Sequence, residues 1–390
     1  MSKSHLVVLG AGPGGYSASF HAADQGFKVT LVDARDKLGG VCLHSGCIPS
    51  KALLHIAGLL AETRQVKDRG IDFDDPRIDL KRLNKWKDEI ISNFSGGLDL
   101  LCKQRGINYV TGRGVFVDSN TIKTSEGHSI RFDHCIIATG SRPVVPSQFS
   151  VSKAVIMDST EALKLTSIPK KLLIVGGGYI GLEMGTVYSG LGSTVTLVEI
   201  KDGLLPDVDR DLVRPLQNKL SSEFESIYLD TAVVSIRELG GLGYVTMASS
   251  KESKEEKFDR VLMSVGRRPN TDKIRLENTK VQLDSNGFVK VDFKGQTSDP
   301  AILAIGDISG EPMLAHKASY EARIAIDGLK GKKMTSSNTV IPAVVFTDPE
   351  IAWCGLTESE AKMKNLDFQV AKFPWRASDR AHPLGRTEGF

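Results

Sequence analysis

His5-Leu-Val-Val-Leu-Gly10-Ala-Gly12-Pro-Gly-Gly15 carries the decisive pattern: a short apolar run leading straight into a Gly-x-Gly-x-x-Gly turn. The run predicts a buried strand, and the residues after Gly15 predict a helix. In such a turn Gly10 permits the tight bend and Gly12 lets a pyrophosphate approach the backbone. Gly15 allows close helix packing, and the helix N-terminus turns its positive end toward the phosphates. A second strand then ends at Thr30-Leu-Val-Asp33, where a carboxylate is expected to meet ribose hydroxyls.

The pattern returns as Lys171-Leu-Leu-Ile-Val-Gly176, followed by Gly178, Gly181 and Thr196-Leu-Val-Glu199. The two strands start 171 − 5 = 166 positions apart. The last glycine precedes the acid by 33 − 15 = 18 residues in one copy and 199 − 181 = 18 in the other. A lone glycine turn is weak evidence; the duplicated context predicts two nucleotide-binding βαβ units. A further repeat closes each unit. Phe132-Asp133 opens a strand running to Gly140 and then Arg142-Pro143, and Phe258-Asp259 does the same to Gly266 and Arg268-Pro269.

The predicted fold class is therefore α/β, with two three-layer dinucleotide-binding (Rossmann-like) domains, the second inserted in the first, plus an incomplete α+β interface segment. The predicted boundaries are 1–143 and 271–340 for the first domain, 144–270 for the second and 341–390 for the last segment. Residues 50–110 carry helical periodicity. Residues 249–257 hold no apolar side chain and read as a solvated hairpin tip, and Arg386-Thr-Glu-Gly reads as the opening of a strand.

Composition narrows the function classes. A chain of 390 residues predicts two or three domains, and 41% hydrophobic with 25% charged residues describes an ordinary globular protein. A net charge of +3 gives no reason to expect nucleic acid or an anionic membrane as partner. No window reaches the roughly 18 apolar residues of a membrane span. The first strand begins almost at Met1, which predicts no signal or transit peptide and a bacterial-type cytoplasm, with a processed mitochondrial matrix protein as the alternative.

Five cysteines (Cys42, Cys47, Cys102, Cys135, Cys354) are too few for a disulfide scaffold, so the close pair is the informative one. Gly39-Gly-Val-Cys42-Leu-His-Ser-Gly-Cys47-Ile-Pro-Ser-Lys51 puts it behind the first fingerprint, among glycines that leave backbone open to a ligand. Two buried core thiols would be the ordinary reading of a cysteine pair. Here a helix start near Pro49, with Lys51 close by, favours the thiolate needed for exchange. Zinc would need two more ligands at suitable spacing, and none is evident, so no metal is expected. A dithiol, a flavin and a nicotinamide all trade electrons in pairs, which makes a redox relay the favoured reading. After Glu199 come Ile200, Lys201 and Asp202; with no arginine for a 2′-phosphate, NAD is favoured over NADP. Asp307, at the end of Ala301-Ile-Leu-Ala-Ile-Gly306, reads equally as a ligand contact or a helix cap.

These motifs together resemble the pyridine nucleotide-disulfide oxidoreductases, over the whole chain. The specific pieces are Gly46-Cys-Ile-Pro-Ser-Lys-Ala-Leu-Leu54, Gly176-Gly-Gly-Tyr-Ile-Gly-Leu-Glu-Met-Gly185, Gly306-Asp-Ile with Pro312-Met-Leu-Ala-His-Lys317, and Val345-Phe-Thr-Asp-Pro-Glu-Ile-Ala352. The resemblance implies a flavin-dependent dithiol/disulfide oxidoreductase of the branch that turns dihydrolipoamide and NAD⁺ into lipoamide and NADH. Its alternatives are a sibling NAD(P)H-dependent disulfide or mercuric reductase, or a non-catalytic or diaphorase-only flavoprotein.

It also implies roles. Gly10, Gly12, Gly15 and Asp33 would hold the ADP part of FAD, with backbone from Gly114 and Gly140. Asp307 would bind the ribitol and Ala315 would lie against the flavin. Cys47 would be the sulfur beside the isoalloxazine, in charge-transfer contact as thiolate, and Cys42 the interchange thiol. Lys51 would sit near flavin N5, paired with Glu183. NAD would use Gly176, Gly178, Gly181, Glu199, Val233 and Gly266, with Tyr179 near the nicotinamide. Implied partners are the lipoyl groups of 2-oxo acid dehydrogenase or glycine cleavage complexes and a second copy in a homodimer, with no nucleic acid and no membrane. Family members continue past Phe390 into a His-x-x-x-x-Glu pair that supplies the base for dihydrolipoamide. Neither His44 nor His382 is expected to replace it.

Overall fold

Leu6, Val7 and Val8 are fully buried and Leu9 nearly so, as a strand covered on both faces must be. The computed structural model, which describes residues 3–149, 152–332 and 340–390, places this strand, His5–Leu9, in the middle of a five-stranded sheet. The order is Ile302–Ala304, His134–Ile137, His5–Leu9, Lys28–Asp33, Asn108–Thr111, all parallel. Period-two alternation sorts the side chains into two cores. Leu6 and Val8 pack with Ala18 and Ala22 of helix Pro13–Asp24 and with Ala322, Ala325 and Ile326 of helix Ala315–Leu329. Val7 and Leu9 pack on the other side with Phe116 and Ile122 of an antiparallel sheet formed by Gly114–Asp118, Thr121–Thr124 and Ser129–Arg131. Helices, parallel sheet and antiparallel sheet make three layers.

The second fingerprint builds the same layers. Its sheet runs Ser226–Tyr228, Thr194–Val198, Lys171–Val175, Arg260–Met263, Ile156–Met157, again parallel. Leu172 and Ile174 face the core that holds Leu182 and Val187 of helix Tyr179–Gly190. Leu173 and Val175 face Ile236, Val245 and Phe258 of the antiparallel sheet Ala232–Leu239, Leu242–Ala248 and Ser253–Phe258.

The chain forms two compact units: Met1–Pro49, Lys85–Arg142 and Arg267–Thr339 in one, and Ser50–Asn84, Pro143–Gly266 and Val340–Phe390 in the other. Residues 333–339, at the predicted junction before 341, lie outside the described residues. Residues 50–84 group with the second unit for packing reasons. A Cβ on Gly190 would come within 2.7 Å of Ala57 Cβ, and Arg64 donates to the Gly190 carbonyl at 2.9 Å. Residues 340–390 join it through Asp209, which accepts from the Glu358 N–H at 3.0 Å, and through the Lys219–Asp348 ion pair.

Two smaller expectations need correction. The polar stretch 249–257 is a turn only as far as 252, because Ser253–Phe258 pairs as an edge strand with Leu242–Ala248. Residues 386–390 form no strand. Among the described residues no helix is long and apolar enough to cross a membrane.

Burial holds the imidazoles of His5 and His134 below their ordinary pKa, and His134 Nδ1 is buried without a hydrogen-bond partner. Below about pH 6.5 the unfolded chain takes up protons that the folded one resists, so this contribution is complete above that pH and is lost on descending toward the folded pKa. The urea midpoint is expected to fall between pH 7.5 and 5.5, and His134→Gln to flatten that slope. An unchanged slope would sink the assignment.

Candidate functional site

Both glycine turns have the geometry their spacing predicts. Gly10 has φ +106°, and a Cβ there would collide with the Ala138 carbonyl oxygen. A Cβ on Gly15 would collide with the carbonyl of Gly10, so helix and turn touch. Gly12 is different: its nearest neighbour would be Gly40 Cα at 3.9 Å. The second copy repeats this arrangement. Gly176 (φ +109°) would clash with the Ser264 carbonyl and Gly181 with that of Gly176, while a Cβ on Gly178 would find no atom within 4 Å. Gly12 and Gly178 are also the N-cap residues of helices Pro13–Asp24 and Tyr179–Gly190, and neither end has a side-chain cap. Uncapped N–H donors beside open space suit the phosphates of a dinucleotide.

The acids are anchored alike. Asp33 accepts from Ala11 N–H at 2.6 Å and Arg35 N–H at 2.8 Å; Glu199 accepts from Gly177 N–H at 2.6 Å and Lys201 N–H at 2.8 Å. Each carboxylate is thereby fixed beside its own glycine turn.

Gly140 (φ +67°) and Gly266 (φ +117°) both have open space where a Cβ would project. Gly114 faces inward, since a Cβ would sit 2.7 Å from Leu9 Cδ1. Val233 lies at a bulge in Ala232–Leu239. Tyr179 opens its helix and is 38% exposed. Ala315 is the first residue of Ala315–Leu329. Asp307 caps no helix: it lies inside the turn Gly306–Ile308, accepting from Ser141 Oγ at 2.5 Å, and Arg267 Nε donates to that Ser141 oxygen at 2.8 Å. Ser141 and Arg267 carried no signal in the sequence beyond flanking the repeated strand ends.

Cys42 lies in the short helix Gly40–Ser45, and Cys47 is the first residue of helix Cys47–Gln65. A Cβ on Gly40 would stand 2.5 Å from Gly12 Cα, so the cysteine-bearing helix rests on the first glycine turn. Tyr16, which sequence reasoning passed over, belongs here: burial pushes its phenol pKa up, and the charges of Cys42 and Cys47 push it further. Ser45 Oγ is buried with no partner. Burial alone pushes the Cys135 thiol far up and is the main cause of the rise at Cys102, as befits core residues.

In the second unit Lys51 Nζ donates to both Glu183 carboxylate oxygens, at 2.9 and 3.1 Å, and Glu183 is buried at 4% exposure. His44 Nε2 and His382 Nε2 each bond a backbone carbonyl at 2.8 Å, of Leu38 and Arg376 respectively. Among the described residues no group of three or more His, Cys, Asp or Glu is placed to hold a metal ion.

Two glycine turns with open space at their helix ends, and a helix bearing Cys42 that rests on one of them, suit a nucleotide-dependent thiol–disulfide protein, and known proteins point the same way. Residues 4–322 match the pyridine nucleotide-disulphide oxidoreductase family and residues 341–390 its dimerisation domain. The chain is 43% identical to a dihydrolipoyl dehydrogenase of Vibrio parahaemolyticus over 97% of its own length and 80% of that protein. It is also 43% identical to a dihydrolipoyl dehydrogenase of Haemophilus influenzae, over 99% and 82%. Among solved structures it is similar to LpdA of Mycobacterium tuberculosis (TM-score 0.90, 26% identity, 98% of this chain and 85% of that one). It is similar as well to the HOCl-induced flavoprotein disulfide reductase RclA of Escherichia coli (TM-score 0.86, 27% identity, 99% and 85%). The chain belongs to the pyridine nucleotide-disulphide oxidoreductases, flavin enzymes whose cofactors are FAD and NAD.

Proposed function

We propose that this oxidoreductase converts dihydrolipoamide and NAD⁺ to lipoamide, NADH and a proton. The observation that carries the reading is the contact of Gly40 with Gly12, which sets the helix bearing Cys42 against the first nucleotide turn. The names of the relatives supply the substrate.

On this reading the first turn, with Asp33, Gly140, Asp307 and Ala315, holds FAD, and Gly114 contributes backbone. The second turn, with Tyr179, Glu199, Val233 and Gly266, holds NAD. FAD supplies a two-electron relay between NAD and sulfur. A substrate thiolate attacks Cys42 Sγ of the Cys42–Cys47 disulfide, forming a mixed disulfide as Cys47 departs as thiolate. The second substrate thiolate then displaces Cys42, closing the lipoyl ring and leaving the cysteine pair reduced by two electrons. Placement of Cys47 at a helix N-terminus favours its anion. On the same reading Lys51, whose ammonium is held by Glu183, would supply the cation that favours electron-rich flavin.

The family's dimerisation segment supports a homodimer, and the proposed partners are lipoyl groups of 2-oxo acid dehydrogenase or glycine cleavage complexes in a bacterial-type cytoplasm. NADH oxidation by the purified chain, with lipoamide, glutathione disulfide or ferricyanide as acceptor, tests the reading. Lipoamide turnover well above glutathione turnover is expected from a protein with its base in place. Ferricyanide reduction without turnover of either disulfide would leave the nucleotide sites standing and assign the lost step to the thiol base, whereas glutathione disulfide turnover above lipoamide turnover would remove the lipoyl assignment.

A further inference from the structure

Phe346 makes two contacts to the same ion pair. Its backbone N–H donates to Glu183 Oε1 at 3.1 Å, on the carboxylate that receives Lys51 Nζ. Its ring lies beneath that ammonium, with Nζ 4.4 Å from the centroid. A carboxylate as buried as Glu183 needs several donors, and these two supply them. Lys51 keeps 34% of its side chain exposed, and a lysine on a four-carbon stem can pivot about a single carboxylate. An ammonium within about 6 Å of an aromatic face is attracted by the ring quadrupole, which closes off that pivot on one side.

The three residues come from distant stretches of one compact unit. Lys51 is on helix Cys47–Gln65, Glu183 on helix Tyr179–Gly190, and Phe346 directly follows strand Ala343–Val345. Phe346 brings no acid, base or nucleophile, so its contribution is position. It is also the point where the segment matching the dimerisation domain reaches the ion pair.

We propose that Phe346 is a positioning residue of the redox centre: its N–H orients Glu183 and its ring fixes the Lys51 ammonium, and together they set how strongly that cation favours reduced flavin. The inference rests on the reading that Lys51 stands beside the flavin.

The test is the two-electron potential of FAD in the intact holoprotein, measured by equilibration with a reference dye, for Phe346→Leu, Phe346→Tyr and Lys51→Met. Phe346→Leu keeps the N–H and comparable bulk but lacks the π face. It is expected to shift the flavin equilibrium roughly two- to fivefold toward the oxidised form, or about 10–20 mV at 29.6 mV per tenfold. Phe346→Tyr is expected to keep the parent potential. Lys51→Met is expected to shift it further the same way, and Phe346→Leu to add nothing in that background. An unmoved potential in Lys51→Met would overturn the reading that Lys51 stands beside the flavin. A shift in Lys51→Met with none in Phe346→Leu would overturn only the role of Phe346. Equal shifts in the leucine and tyrosine variants would also overturn it, by assigning the effect to packing.

Discussion

Replacing Cys42 or Cys47 by serine is expected to lower lipoamide turnover by about four orders of magnitude or more, the scale on which removing a covalent nucleophile acts. A serine hydroxyl is far too weak an acid to be an anion at neutral pH, and it forms no S–S bond. Ferricyanide reduction by NADH bypasses sulfur and should persist in both variants. The two differ in what they trap. With Cys47→Ser, Cys42 can still open a lipoyl disulfide, and no second enzyme thiol is present to complete the exchange, so the only way back is re-closure by the lipoyl thiol just released. A mixed disulfide at Cys42 should then be visible by mass spectrometry after exposure to lipoamide, once iodoacetamide has capped the released lipoyl thiol and blocked re-closure of the ring. With Cys42→Ser no such adduct should form. Adduct on Cys47 in the Cys42→Ser protein would reverse the two sulfur roles. Undiminished turnover in either variant would remove the disulfide from the mechanism altogether.

The second large effect separates folding from ligand binding within one turn. Gly178→Ala puts a methyl where no protein atom lies within 4 Å, at a φ of −78° that alanine adopts freely. Its stability should stay within about 1 kcal/mol of the parent. The same methyl would occupy the space left for the pyrophosphate, so NAD affinity should fall roughly ten- to a hundredfold, matching the 1–3 kcal/mol that overpacking costs. Gly181→Ala should do the reverse. Its methyl would collide with the Gly176 carbonyl and lie 2.7 Å from Ser264 Oγ, pressing helix away from sheet at a cost of about 3 kcal/mol. Calorimetric titration with NAD⁺ and a urea melt on each variant decide the matter. A Gly178→Ala protein that binds NAD⁺ normally would mean the second turn is not the pyrophosphate site.

Much of the scaffold was legible because its signals are local. An apolar run, glycines at fixed offsets and an acid 18 residues on are constraints that a βαβ unit imposes on contiguous chain, and both copies fold as that spacing requires. Strand alternation followed equally directly, since Leu6 and Val8 must face one layer and Val7 and Leu9 the other. The cysteine pair was legible for the same reason, as a helix start and its glycines lie within a dozen residues of it.

What tertiary structure decided is wherever one group answers another across a long sequence separation. The carboxylate of Asp307 is held by Ser141, 166 residues away, inside a turn where it caps no helix. Tyr16 comes within the electrostatic reach of Cys42 and Cys47 where the first helix and the cysteine loop pack together at Gly12 and Gly40. Residues 50–84 join the second unit because Ala57 fills the space above Gly190, a contact between two helices that no periodicity encodes. Phe346 reaches Glu183 over 163 residues with a backbone N–H, a group that every residue except proline carries. Sequence determines which local pieces form, because their hydrogen bonds and dihedral limits are satisfied nearby. Which side chains share a buried charge is fixed only when those pieces pack, because that cost is met by whatever donor the fold brings within reach.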